Sequence, residues 1–123
     1  MSGEAAKEER EFYDVSSVAW EPAGAPGLWQ RVLAGDKSTD DHTRMLRFDP
    51  GTVTSETLVH DFWEEVYVLE GSITDLRLNE TFGAGMFACR PPGMPHGPWA
   101  SPEGCLTFEV RYSERRELDA PRR

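Results

Sequence analysis

The stretch His60–Gly71, which reads HDFWEEVYVLEG, decides the fold of this chain. It places His60 and Glu64 at the start of a β-forming run that ends at Gly71. A second stretch, PPGMPH at positions 91–96, brings His96 onto a later strand. A histidine and a carboxylate close in sequence, joined by a histidine from a later strand, are ligands that an all-β barrel can offer to a divalent metal. The two stretches therefore predict a metal site inside a β-barrel.

Short β-forming runs cover most of the remaining sequence. They are separated by turn residues such as Asp49-Pro50-Gly51, Glu70-Gly71-Ser72 and Ser101-Pro102-Glu103-Gly104. No segment has a long helical period. Short runs with this spacing predict antiparallel strands of a sandwich or barrel. We expect strands at 28–33, 43–48, 52–60, 65–69, 73–78, 86–90 and 106–112.

The length of 123 residues fits one domain with one core. Residues 1–11 are charged and rich in small side chains, which predicts a flexible tail or a loosely docked arm. The barrel is expected to span 12–113, and 114–123 reads as a C-terminal tail. An edge strand within 12–20 is a candidate surface for a homodimer.

Charge and composition exclude several classes of partner. A formal net charge of −9 disfavours nucleic acid and anionic membrane surfaces, which both select for Lys and Arg clusters. No run approaches the roughly 20 apolar residues of a membrane span, and the acidic N-terminus does not resemble a signal peptide. We therefore expect a cytoplasmic protein with a small-molecule partner. The two cysteines, Cys89 and Cys105, are expected to be reduced core thiols.

The residues from Arg44 to Tyr112 resemble the cupins, small β-barrels of jelly-roll type (double-stranded β-helix) that usually hold a metal between two motifs. The first cupin motif is matched by Gly51, His60, Glu64 and Gly71. The second motif is matched in spacing by four further residues, which are Gly85, Pro91, Gly93 and His96. The pattern from Glu64 to Ser72 is similar to the ChrR-like branch of single-domain cupins. The resemblance implies that His60, Glu64 and His96 are metal ligands.

Two positions depart from the cupin motifs. Leu58 stands where the first histidine of the family is expected, and Ala100 stands in place of the final asparagine. Three of the four usual ligands are therefore kept. Strand alternation from His60 places Glu56 and Leu58 on the same face as the metal. Glu56 is accordingly predicted to replace the missing ligand or to act as a general base.

A set of two histidines and one carboxylate leaves open positions on an octahedral ion, an arrangement that favours Fe(II). Zn(II) would use the same ligands for Lewis-acid work, and Mn(II) and Ni(II) are further options. The resulting hypothesis is an Fe(II) dioxygenase that acts on a small oxygen-bearing molecule. The alternatives are a metal-dependent lyase, isomerase or cyclase, and a metal- or ligand-sensing module. This sequence contains no second domain for a sensor to switch, which favours an enzyme.

Three further interpretations concern individual side chains. His42 begins a strand next to a turn, which predicts a surface position. Trp63 lies between His60 and Glu64, and plain packing is the favoured role of its ring, with a pocket wall as the alternative. Most aromatic residues are expected to fill the core, among them Phe87 and Phe108.

Overall fold

The computed structural model describes residues 7–113. The predicted C-terminal tail, 114–123, lies outside the described residues, as does the first half of the predicted N-terminal tail. Its second half forms a docked arm, because the Lys7 ammonium donates to the Thr43 hydroxyl at 2.8 Å and Arg10 donates to the Leu33 carbonyl at 3.3 Å. Within the described range, no helix has the length and apolar character needed to cross a membrane.

The described chain is almost entirely β-strand, so the prediction of an all-β barrel is confirmed. A short 3-10 helix, Val15–Ser17, comes first. The strands that follow are β1 (Glu21–Pro22), β2 (Leu28–Gly35), β3 (His42–Phe48), β4 (Thr52–Val53), β5 (Leu58–Val59), β6 (Phe62–Asp75), β7 (Glu80–Gly83), β8 (Phe87–Arg90), β9 (Pro95–His96), β10 (Trp99–Ser101) and β11 (Cys105–Ser113).

The strands form one curled sheet and a small separate ribbon. The sheet order is β1-β2-β3-β11-β6-β10-β4, and β7 and β8 also pair with β6. All pairings are antiparallel. The ribbon consists of β5 and β9, with Leu58 opposite His96. The sheet curls into a half-barrel whose concave face carries the inward side chains.

The inward-facing side chains of the strands form an apolar region and a polar region inside the barrel. Positions 42, 44, 46 and 48 of β3 are buried, whereas the residues between them are partly exposed. The apolar core contains Leu46, Phe48, Val68, Ile73, Trp99 and Cys105. Beside it lies a polar region made by the ends of the same strands, with buried His42, Arg44, Glu64, His96 and Glu109. The strands that build the core therefore also position a polar cavity.

Strand β6 is longer than the sequence predicted. It runs without interruption through Glu70-Gly71-Ser72, where a turn was expected. Gly71 has a φ of +74°, and a Cβ at this position would lie 2.0 Å from the Gly104 carbonyl oxygen. Glycine is therefore required for the close approach of β11, and it marks a bend in the strand rather than its end.

Two other expected strands are wrong. The segment 52–60 contains only β4 and β5, and residues 54–57 between them are not strand. The segment 12–20 contains the 3-10 helix, where the Asp14 carboxylate accepts from the backbone N–H of Ser16. An aspartate that satisfies this N–H favours a helical turn over an extended edge.

Candidate metal centre

The structure brings His60, Glu64 and His96 together, as the sequence predicted. One ligand atom from each residue lies within 4.8 Å of the other two. Glu64 and His96 are buried, and His60 is half-buried. All three line a cavity of about 430 Å³ at the polar end of the barrel. These atoms are close enough for one ion to bind all three after small side-chain movements.

The β5–β9 ribbon holds the two histidines. His60 follows β5 directly, and His96 ends β9 opposite Leu58. The backbone N–H of Gly93 donates to the His60 carbonyl oxygen at 2.7 Å, which ties the proline-rich loop to the first histidine. The His96 ring also contacts the Met94 carbonyl oxygen through Nδ1 at 3.2 Å. If Nδ1 carries the proton and donates it to this carbonyl, the lone pair of Nε2 is free to bind a metal, which is the usual arrangement for a metal-binding imidazole.

Glu64 comes from β6 and lies between two arginines. Its Oε2 accepts from Nε of Arg111 at 2.8 Å, and its Oε1 lies 3.4 Å from Nη1 of Arg90. The same Oε1 lies 3.6 Å from Nε2 of His96. Arg111 therefore fixes one carboxylate oxygen, while the other faces the histidines.

Electrostatics keep the three groups in the protonation states that a metal needs. Burial lowers the pKa of His60 and of His96, and the nearby Glu64 carboxylate only partly offsets this effect. Burial acts to raise the pKa of Glu64, but the guanidinium charges of Arg111, Arg44 and Arg90 act against it, and the pKa is lowered. At neutral pH the histidines are therefore neutral and the carboxylate is ionised.

The donor atoms fit a divalent metal. Nε2 of His60 is inaccessible to solvent and has no hydrogen-bond partner among residues 7–113. A buried polar atom without a partner is rare and calls for an explanation. His60 is held by stacking on Phe62, with ring centroids 4.4 Å apart, and its centroid lies 4.9 Å from that of His96. A metal at the centre of the cluster would give Nε2 of His60 its missing partner.

The structure separates Glu56 from this cluster. The alternation that predicted its direction does not apply, because residues 54–57 are not strand. Glu56 lines the cavity, but it is exposed and does not belong to the group of clustered ligand atoms. Its role as a general base stays a prediction.

Leu58 occupies the position from which a fourth ligand is missing. It lies opposite His96 in the ribbon and lines the same cavity. Directly opposite residues in an antiparallel pair project to the same face, with Cβ atoms about 5 Å apart. We therefore expect Leu58→His to complete a four-ligand site and to tighten Zn(II) binding about tenfold or more. Competition titration with a chromogenic chelator measures this change.

The matched control for this variant is Val59→His, because Val59 neighbours Leu58 and adjacent strand residues face opposite ways. It is expected to leave the affinity unchanged. Equal affinity in Leu58→His and the parent would show that position 58 does not reach the ion.

A second group of polar residues was not anticipated from the sequence. Arg44 donates through Nε to Glu109 at 2.9 Å and through Nη1 to the Gln30 oxygen at 2.7 Å, and the Thr107 hydroxyl also donates to Glu109 at 3.0 Å. Arg90 and Arg111 complete the charged lining of the cavity. A signal was present, since Arg44 shares its strand face with Leu46 and Phe48, where an apolar residue is expected.

Several expectations about single residues are wrong. His42 is only 2% exposed, and its Nδ1 lies 3.0 Å from the Thr39 carbonyl oxygen. Trp63 has the favoured packing role instead of lining the cavity: its ring stacks on Tyr112 with centroids 6.3 Å apart, because Trp63 alternates with the inward Phe62 and Glu64. Cys89, Phe87 and Phe108 lie on exposed faces of β8 and β11, so they are not core residues. Cys105 is a core thiol, and burial raises its pKa to about 11.

Comparison with known proteins identifies the fold. The model of the ChrR Cupin-like domain matches residues 8–113. No match was found among curated protein sequences.

Three solved structures illustrate the range of similar proteins. The polyketide cyclase RemF from Streptomyces resistomycificus is 24% identical with a TM-score of 0.67, over 87% of this chain and 82% of that chain. An acetylacetone dioxygenase from Acinetobacter johnsonii is 14% identical with a TM-score of 0.67, over 90% and 78%. The anti-sigma factor ChrR, in complex with SigE from Rhodobacter sphaeroides, is 22% identical with a TM-score of 0.60, over 80% of this chain and 52% of that chain.

Proposed function

Because the chain belongs to the ChrR cupin-like domain family, we propose that it is a metal-dependent enzyme acting on a small oxygen-bearing organic molecule. The observation that carries this proposal is the cluster of three ligand atoms with the unpartnered Nε2 of His60 at its edge. His60, Glu64 and His96 would hold the ion. The cavity beside them has the volume of a small-molecule pocket.

Oxidative cleavage with Fe(II) is our first choice of reaction, because two histidines and one carboxylate form the ligand set of many Fe(II) oxygenases. The bound metal would supply open positions for a substrate oxygen and for dioxygen. The protein contributes the orientation of its ligands, since Arg111 fixes Glu64 and the Met94 carbonyl fixes His96. The similarity to an acetylacetone dioxygenase is consistent with this reaction but shows the fold alone.

A lyase, isomerase or cyclase is the second candidate. The three arginines that line the cavity favour it, because positive charge stabilises an enolate without any need for oxygen. Zn(II), Mn(II) or Ni(II) would serve in this reaction as a Lewis acid. RemF shows that a polyketide cyclase shares the fold.

A sensing module is the third candidate, from the similarity to ChrR. This chain spans about half of the length of that chain. The pairing of a substrate-sized cavity with the ligand cluster favours an enzyme over a sensor.

Elemental analysis of the purified protein, followed by reconstitution, tests the proposal. The metal-free protein is loaded with Fe(II) under argon, and oxygen uptake is measured with β-diketones, catechols and 2-oxo acids. Uptake that needs both iron and one of these compounds supports the oxygenase. Stoichiometric zinc, with product formed in the absence of oxygen, would move the assignment to the lyase class. Protein that binds none of Fe(II), Zn(II), Mn(II) and Ni(II) would overturn the proposal.

Glu56→Gln tests the predicted general base. Because Glu56 lies outside the cluster of ligand atoms, we expect normal metal content, while turnover of the identified substrate falls roughly 100-fold. Glu103→Gln is the control, since Glu103 is equally exposed but does not line the cavity. Loss of metal would instead make Glu56 a ligand, and normal turnover would exclude it from the reaction.

A further inference from the structure

A row of side chains with alternating charge crosses the concave face of the sheet and includes Glu64 of the ligand cluster. Arg90 of β8 lies opposite Glu64 of β6, and Glu64 in turn lies opposite Arg111 of β11. Residues in register across antiparallel strands project to the same face, so all three side chains line the cavity. A row at this depth in a small barrel would ordinarily be apolar.

Among the charged side chains of the cavity lining that are at least partly buried, positive groups outnumber negative ones. Its inward-facing charged residues are three arginines, Arg44, Arg90 and Arg111, and two carboxylates, Glu64 and Glu109. Arg44 takes Glu109 as its partner at 2.9 Å, so Glu64 alone faces both other arginines. The whole chain, by contrast, has a formal net charge of −9. With the exposed Glu56 counted, the three arginines and three carboxylates balance, and a divalent ion held by Glu64 would make the lining net positive.

Arg90 is the less satisfied of the two arginines that face Glu64. Within residues 7–113 its polar contact is a single long one, from Nη1 to Oε1 of Glu64 at 3.4 Å, whereas Arg111 makes a 2.8 Å hydrogen bond to Glu64 through Nε. The Arg90 side chain is 12% exposed, and its guanidinium carbon lies 5.1 Å from the centre of the Trp99 ring. A guanidinium has five N–H donors, and those of Arg90 that lack a protein acceptor are not sealed from solvent, so they are available to a ligand in the cavity.

A further part of the cavity wall is apolar. Leu46, Val66, Ile73 and Trp99 line it next to the charged row. A ligand that suits both parts of the wall has a carboxylate at one end and a compact apolar body at the other. Planar guanidinium groups pair with carboxylates through two parallel hydrogen bonds, which an alcohol or an amide cannot accept equally well.

We propose that the cavity binds a small organic carboxylate, whose carboxylate group pairs with Arg90 and whose apolar body packs against Val66, Ile73 and Trp99. This proposal rests on the proposed function in one respect only, which is that the bound anion would lie beside a metal ion. Arg90 is the binding residue, and Arg111 holds Glu64 and adds a second positive charge. The carboxylate would supply the acceptors that Arg90 lacks.

Isothermal titration calorimetry tests the proposal, with matched small molecules titrated into the full-length chain. Benzoate and phenylacetate are compared with benzamide and phenylacetamide, and inorganic phosphate is included as a simple anion. Each titration is made on metal-free protein and on protein loaded with Zn(II), and the metal content is measured separately. We expect each carboxylate to bind about tenfold or more tightly than its amide.

Arg90→Met keeps the apolar stem and removes the charge, so it should lose this tenfold preference while it retains metal. Arg31→Met is the matched control, because Arg31 also stacks on a tryptophan, Trp20, but does not line the cavity. It should bind the carboxylates like the parent.

Three results would overturn the proposal: no carboxylate binding, equal binding of carboxylate and amide, or an unchanged preference in Arg90→Met. Phosphate binding as tight as that of benzoate would also contradict an organic ligand. A protein that takes up no metal but keeps the Arg90-dependent preference would refute the proposed function alone. Full metal loading without the preference would refute this inference alone.

Discussion

His60→Ala and His96→Ala are each expected to abolish metal loading. Three protein ligands are the smallest set seen in most tightly bound sites, so the removal of one leaves too few to hold the ion. The protein should also lose the thermal stabilisation that bound metal provides. Metal content is measured after reconstitution and desalting, and the melting temperature is measured with and without a chelator.

His42→Ala is the matched control for these variants. His42 is as buried as His96, but it contacts the Thr39 carbonyl and lies outside the cluster of ligand atoms. This variant should lose stability without losing metal. Full metal occupancy in either ligand variant would refute the assignment of His60 and His96.

Arg44→Met should cause the largest loss of folding stability among single substitutions in the polar region. It leaves the buried Glu109 without its guanidinium partner and Gln30 without its donor. Breaking one side of a buried ion pair costs about 3–5 kcal/mol, because an uncompensated charge stays behind. Urea unfolding of the metal-free protein measures this cost.

The double variant Arg44→Met/Glu109→Leu separates the two causes. If the cost comes from the stranded carboxylate, the double variant should recover more than half of the lost stability. Lys37→Met removes the exposed ion pair with Glu21 and should change little. A double variant as unstable as Arg44→Met would show that the cost arises from lost packing instead.

The sequence contained enough to predict the fold and the cluster of candidate ligands. Local patterns determine both, since short alternating runs form antiparallel strands and the spacing of His60, Glu64 and His96 follows two cupin motifs. The strands β3 and β8 also lie within one residue of the predicted strands 43–48 and 86–90.

The rest depended on pairings between distant residues. Arg90, Glu64 and Arg111 form a row only because β8 and β11 both pair with β6, and no local pattern shows this. His42 was expected at the surface because it is near a turn, yet it lies on the buried face of β3, between β2 and β11. Glu56 lines the cavity, but alternation is not the reason, because residues 54–57 are not strand and alternation holds only within a continuous strand.

Strand β6 has a consequence for the way the molecule unfolds. Its first half pairs with β8 and β11, and its second half pairs with β7 and β10, so one strand belongs to both parts of the sheet. Neither part can separate without breaking the ladder of the other, which favours a single two-state transition over stepwise opening. Glu64 lies on this shared strand. The metal centre should therefore be lost in the same cooperative event as the apolar core, and local fraying at the ribbon should be the only smaller opening that releases a ligand.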